Sequence, residues 1–266
     1  MTETLEMKEM KQRITRELAR IEEEEQVRIL YACESGSRAW GFPSKDSDYD
    51  VRFIYVRTVD WYLSIYEKRD VIERPISGML DINGWDLRKA LNLFRKSNPP
   101  LLEWLRSPIV YKESFSTAEE IRRIFPATFS PRSCMYHYLH MARGNCREYL
   151  QGERVRVKKY FYVLRPILAC RWIEKHNTMP PVEFHRLVED LLPEGSALRE
   201  AVDLLLERKM AGEELDMGAR IAPISDFLEA GIAHYEQAAP GMAEAGAKQD
   251  RELDGLFRSA LAEVWG

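Results

Sequence analysis

The sequence predicts an α+β protein, a small mixed sheet with flanking helices followed by a helical bundle. Three observations carry this. Short apolar, partly β-branched runs fall almost entirely before residue 112, long helical periodicities dominate after it, and breaks such as SPRS, QGERV, NTMPP and PEGS separate the later helices. The division that follows is a core of residues 1–112 and a helical substrate-binding unit of residues 113–266.

Taken in order, Leu5, Met10, Ile14, Leu18 and Ile21 recur at helical spacing, and the acidic run 22–25 reads as a solvated face. VRILYAC (27–33) is a buried strand, SRAW (37–40) a short helical turn, and DYDVRFIYV (48–56) a second strand. Residues 70–74 and 78–84 form a hairpin pair or two short strands. Asp86 then caps the helix DLRKALNLFRKS, and LLEWLRS is a short helix closing against Pro108. Further helices are expected over 132–150, 158–175, 181–192, 197–211 and 249–264, with no internal repeat.

The composition is that of a globular domain, 45% hydrophobic and 31% charged over 266 residues. A net charge of −4 argues against a chain that binds nucleic acid over its whole surface. No apolar run approaches the roughly 20 residues that span a bilayer, and the polar start MTETLEMKEMKQ does not resemble a signal peptide. Four scattered cysteines (33, 134, 146, 170) without a CxxC pair read as reduced thiols, so a cytoplasmic protein is expected.

Residues 34–50, ESGSRAWGFPSKDSDYD, hold the densest chemistry. Gly36 and Gly41 have the spacing of a Walker loop, but Phe42 and Pro43 stand where Lys and Ser/Thr are needed, and Lys45 comes too late. A polar turn between strands is the plain alternative. Against it, side chains alternate along a strand, so Asp48, Asp50 and Arg52 share a face while Tyr49, Val51, Phe53 and Tyr55 share the other. Neighbouring carboxylates raise each other's pKa unless a cation lies between them. A divalent metal meets that need: Mg²⁺ takes hard oxygen ligands, and paired ions about 3.5–4 Å apart need a further carboxylate from a neighbouring strand. In GMLDING, Leu80 and Ile82 face one way and leave Asp81 on the other. Asp86 is the rival third acid, better explained as a helix cap. Gly36 and Ser37, ending a strand and beginning a helical turn, suit a terminal phosphate, with Arg38 and Ser47 as further contacts.

These residues resemble the polymerase-beta-type nucleotidyltransferase superfamily, in which G-S, S-D-x-D on a strand and one later acid build the site. The blocks GSRAWGFPSKDSDYDVRFIYV, LDINGWDLRKAL, SNPPLLEWLRSPIVY and KKYFYVLRPILACRW, in order, resemble its RNA-ligase-associated bacterial and phage branch over about residues 25–175. The resemblance implies that Gly36 and Ser37 hold the triphosphate, that Asp48 and Asp50 bind metal, and that Asp81 is the third carboxylate. It implies Mg²⁺, or Mn²⁺, as cofactor, an NTP as substrate, and a hydroxyl acceptor such as an RNA end. A protein or small-molecule acceptor, and a non-catalytic nucleotide or RNA sensor, stay open, as does the choice among the four NTPs.

In the helical half, Lys158, Tyr162, Arg165 and Ala169 lie on one stripe of a helix that Pro166 should kink. Triphosphate is the expected partner of the cations and a base that of Tyr162; a salt bridge to another helix is the alternative. Residues 143–175 hold nine Lys/Arg against three acids, a local excess that a cleft would concentrate. Tyr136, His140, Arg143 and Arg147 border the same cleft or form an exposed face. His137 and His140 lack zinc partners, and Trp85, Trp104 and Trp172 are expected in the core.

Overall fold

The computed structural model describes residues 5–244 and 250–266. Helix α1 (Leu5–Glu25) lays Ile14, Leu18 and Ile21 on one face of a five-stranded sheet. The strands are β1 (Arg28–Glu34), β2 (Tyr49–Val56), β3 (Val71–Glu73), β4 (Leu80–Asp86) and β5 (Val110–Glu113), in the order β3-β4-β2-β1-β5. All pairs are antiparallel except β2 with β4, which run parallel. Val51, Phe53 and Tyr55 of β2 and Leu80 and Ile82 of β4 pack under α1, so the alternation expected from the sequence holds on both strands.

The opposite face of the sheet meets the helices. Between the strands lie α2 (Gly36–Trp40) and α3 (Val59–Tyr62); after β4 come α4 (Leu87–Arg95) and α5 (Pro99–Trp104). The remaining helices are α6 (Thr117–Thr128), α7 (Pro131–Tyr149), α8 (Phe161–His176), α9 (Phe184–Leu191), α10 (Ala197–Met210), α11 (Ala222–Ala238) and α12 (Asp250–Trp265). A 3₁₀ turn, Val157–Tyr160, leads into α8, and β6 (Arg154–Arg156) pairs with β7 (Met217–Ala219). One continuous apolar cluster joins Leu30, Ile54 and Val56 of the sheet to Phe94, Trp104, Leu164 and Leu168 of the helices. The helical half is therefore a wall of the sheet's own core.

Three elements differ from the expected layout for physical reasons. The strand β5 is a short, half-polar edge that only its pairing with β1 defines. Helix α6 carries Pro126 in its last turn, which masks its apolar period. Helix α11 contains Gly231, where an added Cβ would lie 2.7 Å from Ile167 Cγ2; the glycine lets α11 pack closely on α8. Helix α8 itself runs through Pro166 without a break. The stripe Tyr136, His140, Arg143 and Arg147 is an exposed face of α7, with Arg143 paired to Glu236 of α11 at 3.1 Å. All four cysteines are free and buried, and among the described residues no helix is long and apolar enough to cross a membrane.

Asp86 is fully buried and caps α4: its carboxylate accepts the Arg88 N–H at 2.8 Å and the Tyr62 hydroxyl at 2.6 Å. Asp86→Ala should lose about 2 kcal/mol of unfolding free energy in a denaturant titration, from the lost cap and an orphaned hydroxyl. Nucleotide turnover should survive; a folded but inactive variant would make this residue the third acid after all.

Candidate active site

Strand register builds the site. On the parallel pair, Asp50 of β2 lies directly beside Asp81 of β4. Both point away from α1, and Arg52, on the same face, reaches across them. Its Nη2 donates to Asp50 Oδ1 at 3.1 Å and to Asp81 Oδ2 at 2.8 Å. Asp48 stands just ahead of β2, exposed. Burial lifts the Asp50 carboxyl above the usual range; Arg52 opposes the rise, while the nearby charges of Asp81 and Asp48 add to it.

The turn before β2 is fitted against these acids. Gly36 has φ of 59°, and a Cβ there would meet Asp50 Oδ2 at 2.1 Å, so both conformation and space demand glycine. Gly36 opens α2, whose first N–H groups have no carbonyl acceptor within the helix. The Ser37 hydroxyl has no hydrogen-bond partner among the described residues. Arg38 braces the loop that follows: it donates to the carbonyls of Asp48 at 3.1 Å and Ser47 at 2.7 Å and stacks 3.6 Å from the Tyr49 ring centroid. The Ser47 hydroxyl accepts the Ser44 N–H at 2.9 Å and lies 3.3 Å from Lys209 Nζ.

The facing wall comes from the helical half. Tyr162, exposed on α8, has its hydroxyl pKa raised by burial and, to a lesser extent, by the charges of Asp50 and Asp48. Its ring meets Trp40 edge-on at 6.0 Å. Lys158 is exposed and pairs with no carboxylate among the described residues; its charge reaches Asp46 and Lys209.

Oxygen donors converging from adjacent strands suit a hard divalent cation, and Asp50 with Asp81 provide them. As arranged, Arg52 supplies the countercharge, and the described residues include no group of three His, Cys, Asp or Glu close enough to hold one ion.

The model of a family described as "RNA repair pathway DNA polymerase beta family" matches residues 10–259. This chain belongs to that family. It is similar to a protein of Bacillus subtilis (strain 168) named "Uncharacterized protein YcgL", 56% identical over 256 residues, 96% of this chain and 98% of the relative. A crystal structure of a nucleotidyltransferase-like protein from Exiguobacterium sibiricum 255-15 aligns with 86% of this chain and 77% of its own at 9% identity and a TM-score of 0.36. The architecture of this RNA repair pathway polymerase-beta family member is thus a nucleotidyltransferase core, with its mixed sheet, followed by C-terminal helices.

One expected contact is corrected. Arg165 does not face the cleft: it is buried, its Nη1 2.6 Å from Glu103 Oε1 and its Nη2 3.3 Å from the Val182 carbonyl. The stripe drawn from Lys158 is broken by burial: Lys158, in the 3₁₀ turn 157–160, is exposed, whereas Arg165 of α8 is drawn into the interior by Glu103.

Three residues at the site had no expected role. Arg52 was placed on the acidic face without a partner. Lys209 arrives from α10, nearly buried, its ammonium donating to the hydroxyls of Ser44 and Ser47 and, among the described residues, to no carboxylate. Glu34, at the buried end of β1, accepts the Asp50 N–H at 2.7 Å and the Tyr111 hydroxyl, holding the strand that carries Asp50. A lone lysine in LLLERKM or an acid after an apolar run gives no sequence signal for either position.

Glu34 should be visible in the pH dependence of the metal-free protein. Burial, the largest cause, lifts its carboxyl from the usual 4.5 to about 7, against the opposing bonds from Tyr111 and Asp50. A raised folded pKa means a contribution present below pH 4.5 and lost as pH climbs to 7. At 1.36 kcal/mol per unit, about 3 kcal/mol should disappear over that range. Glu34→Gln, which keeps the acceptor for Asp50, should remove that part of the slope in denaturant titrations at pH 5 and 8. An unchanged slope would mean that Glu34 is ionised in the folded state throughout.

Proposed function

We propose that this protein transfers a nucleoside monophosphate from an NTP to a hydroxyl of an RNA end, releasing pyrophosphate. The observation that carries the reading is the register of Asp50 with Asp81, which sets them beside the Gly36–Ser37 turn. The family description supports an RNA acceptor, as does the cation excess of residues 143–175. Gly36 and Ser37 would seat the terminal phosphates through free N–H groups and an uncommitted hydroxyl. Tyr162 would stack on the base. Lys158 and Lys209 would raise the positive potential along the Ser44–Ser47 loop.

Asp48, Asp50 and Asp81 are the residues that would hold Mg²⁺ or Mn²⁺. When bound, such ions neutralise the triphosphate and lower the pKa of the acceptor hydroxyl. Asp81, oriented by Arg52, is the candidate proton acceptor. Glu34 would hold the Asp50 backbone in place while the site turns over.

The test is incubation with each α-phosphate-labelled NTP in the presence of total cell RNA and lysate protein. Label is expected in RNA, lost in Asp48→Asn and Asp50→Asn. Label in protein or a small molecule would reassign the acceptor, and no label with any NTP would sink the transfer reading. A sensor without turnover is the second reading, favoured by one observation: Arg52 bridges Asp50 and Asp81 and so offsets part of their charge. Mg-dependent NTP binding by calorimetry, with no pyrophosphate released, would select it.

A further inference from the structure

Beyond Tyr162, the wall of the cleft continues into a surface of alternating aromatic and cationic side chains. Lys159 Nζ lies 4.6 Å from the Tyr162 ring centroid and 4.4 Å from that of Tyr149, at the end of α7. The Arg156 guanidinium follows, 5.4 Å from the same Tyr149 ring centroid. Arg156 and Arg154 are the exposed residues of β6, whose middle residue, Val155, is buried. The short β6–β7 pair thus turns both arginines outward, and Tyr162 at the near end of the row meets, at 6.0 Å between ring centroids, Trp40 of the helix that Gly36 opens.

The cations of this row are unusual in one respect. Ion pairs cover much of the surface, from Arg20–Glu24 on α1 to Arg220–Asp226 beside α11. Yet among the described residues Arg154, Arg156 and Lys159, like the neighbouring Lys158, pair with no carboxylate, although Glu148 and Glu153 are close in sequence. A face that existed only to be solvated would not need its tyrosines between the cations. Here one ring, Tyr162, is exposed and the other, Tyr149, is half-buried against the core. Uncompensated charge beside accessible rings is how proteins hold single strands, the cations following the phosphates and the rings stacking on bases of any sequence.

We infer that the row Tyr162, Lys159, Tyr149, Arg156 and Arg154 binds a single-stranded nucleic acid and leads its end to the carboxylates. The inference rests on the proposed transfer reaction, for which it supplies the acceptor's path. Stacking on Tyr149 would fix the strand a short way from its end. The arginines of β6 would hold phosphates further along, so the terminal nucleotide enters the cleft beside Tyr162.

The test reads binding without chemistry. Fluorescence anisotropy of a labelled 12-nucleotide RNA, the same sequence as single-stranded DNA, and an RNA duplex is measured with EDTA and no NTP. Single strands should bind, RNA, DNA or both, and the duplex should bind more weakly. The double variant Arg154→Glu/Arg156→Glu should weaken strand binding at least tenfold in low salt. Its plot of log affinity against log salt should flatten by about 1.4, two phosphate contacts at about 0.7 each. Tyr149→Ala should cost about tenfold with the salt slope unchanged. Circular dichroism checks that each variant is folded. Wild-type protein that ignores single strands, or prefers the duplex, or a charge-reversed variant that binds as well as wild type, overturns the proposal. Because no NTP is present, the two readings separate. Strand binding by a protein that never releases pyrophosphate would retire the transfer reaction and keep the track, and turnover on a small hydroxyl with no strand binding would do the reverse.

Discussion

Asp50→Asn should abolish pyrophosphate release from every NTP, by at least about a thousandfold, while the protein stays folded with an undiminished melting temperature. Both halves of that expectation come from the same geometry. The carboxylate is held half-buried against Gly36 and beside Asp81, a position that raises its pKa chiefly through burial. Replacing it by an amide of the same shape removes a charge that is costly to bury. Asp81 keeps Arg52 as its partner at 2.8 Å, and the backbone of residue 50 still donates to Glu34. What the amide lacks is the charge to hold a divalent ion. The companion measurement is a thermal shift with Mg²⁺: wild type should be stabilised and the variant should not. Undiminished pyrophosphate release would remove Asp50 from the chemistry, and collapse of the fold would make it structural.

How far this arrangement could be read in advance depended on distance along the chain. The alternation in DYDVRFIYV and LDINGW put Asp50 and Asp81 on a common face, because period two is a property of the strand itself. The cap at Asp86 was likewise local, a carboxylate two residues ahead of the N–H it accepts. Glycine before serine at a strand end signalled close approach, and Gly36 lies against Asp50. What escaped notice was contact across long separations. Arg52 was on the correct face, but only the parallel register shows that it spans two strands. Lys209 meets Ser44 and Ser47 across more than 160 residues. Strand β5 exists because β1 has an open edge, and its four residues carry no pattern of their own. The helical stripe failed for the same reason: Arg165 is drawn inward by Glu103, 62 residues away along the chain, which no local pattern announces.

That correction leads to the second large effect, Glu103→Gln, which should cost about 3–5 kcal/mol and lower the melting temperature by roughly 10 °C. Glu103 sits on α5, against the sheet, and Arg165 on α8, in the facing wall. Their ion pair is 2.6 Å long and almost wholly excluded from solvent, with side chains 11% and 3% exposed. The Tyr138 hydroxyl from α7 donates to the same carboxylate oxygen at 2.7 Å. The guanidinium also lies 4.9 Å from the Trp40 ring, three residues past Ser37. One charge pair therefore ties together the sheet side, two helices of the facing wall and the turn proposed to seat the triphosphate. Fixed partners meet both terminal guanidinium nitrogens, though Nε is left without one, so removing one charge strands the other in the interior. The double variant Glu103→Gln/Arg165→Met should recover much of the loss, since neither charge is then left unpaired. If instead Glu103→Gln melts like wild type and Arg165→Met mainly weakens NTP binding, then Arg165 leaves Glu103 for phosphate in the working protein, and the contact is a resting state rather than a clamp.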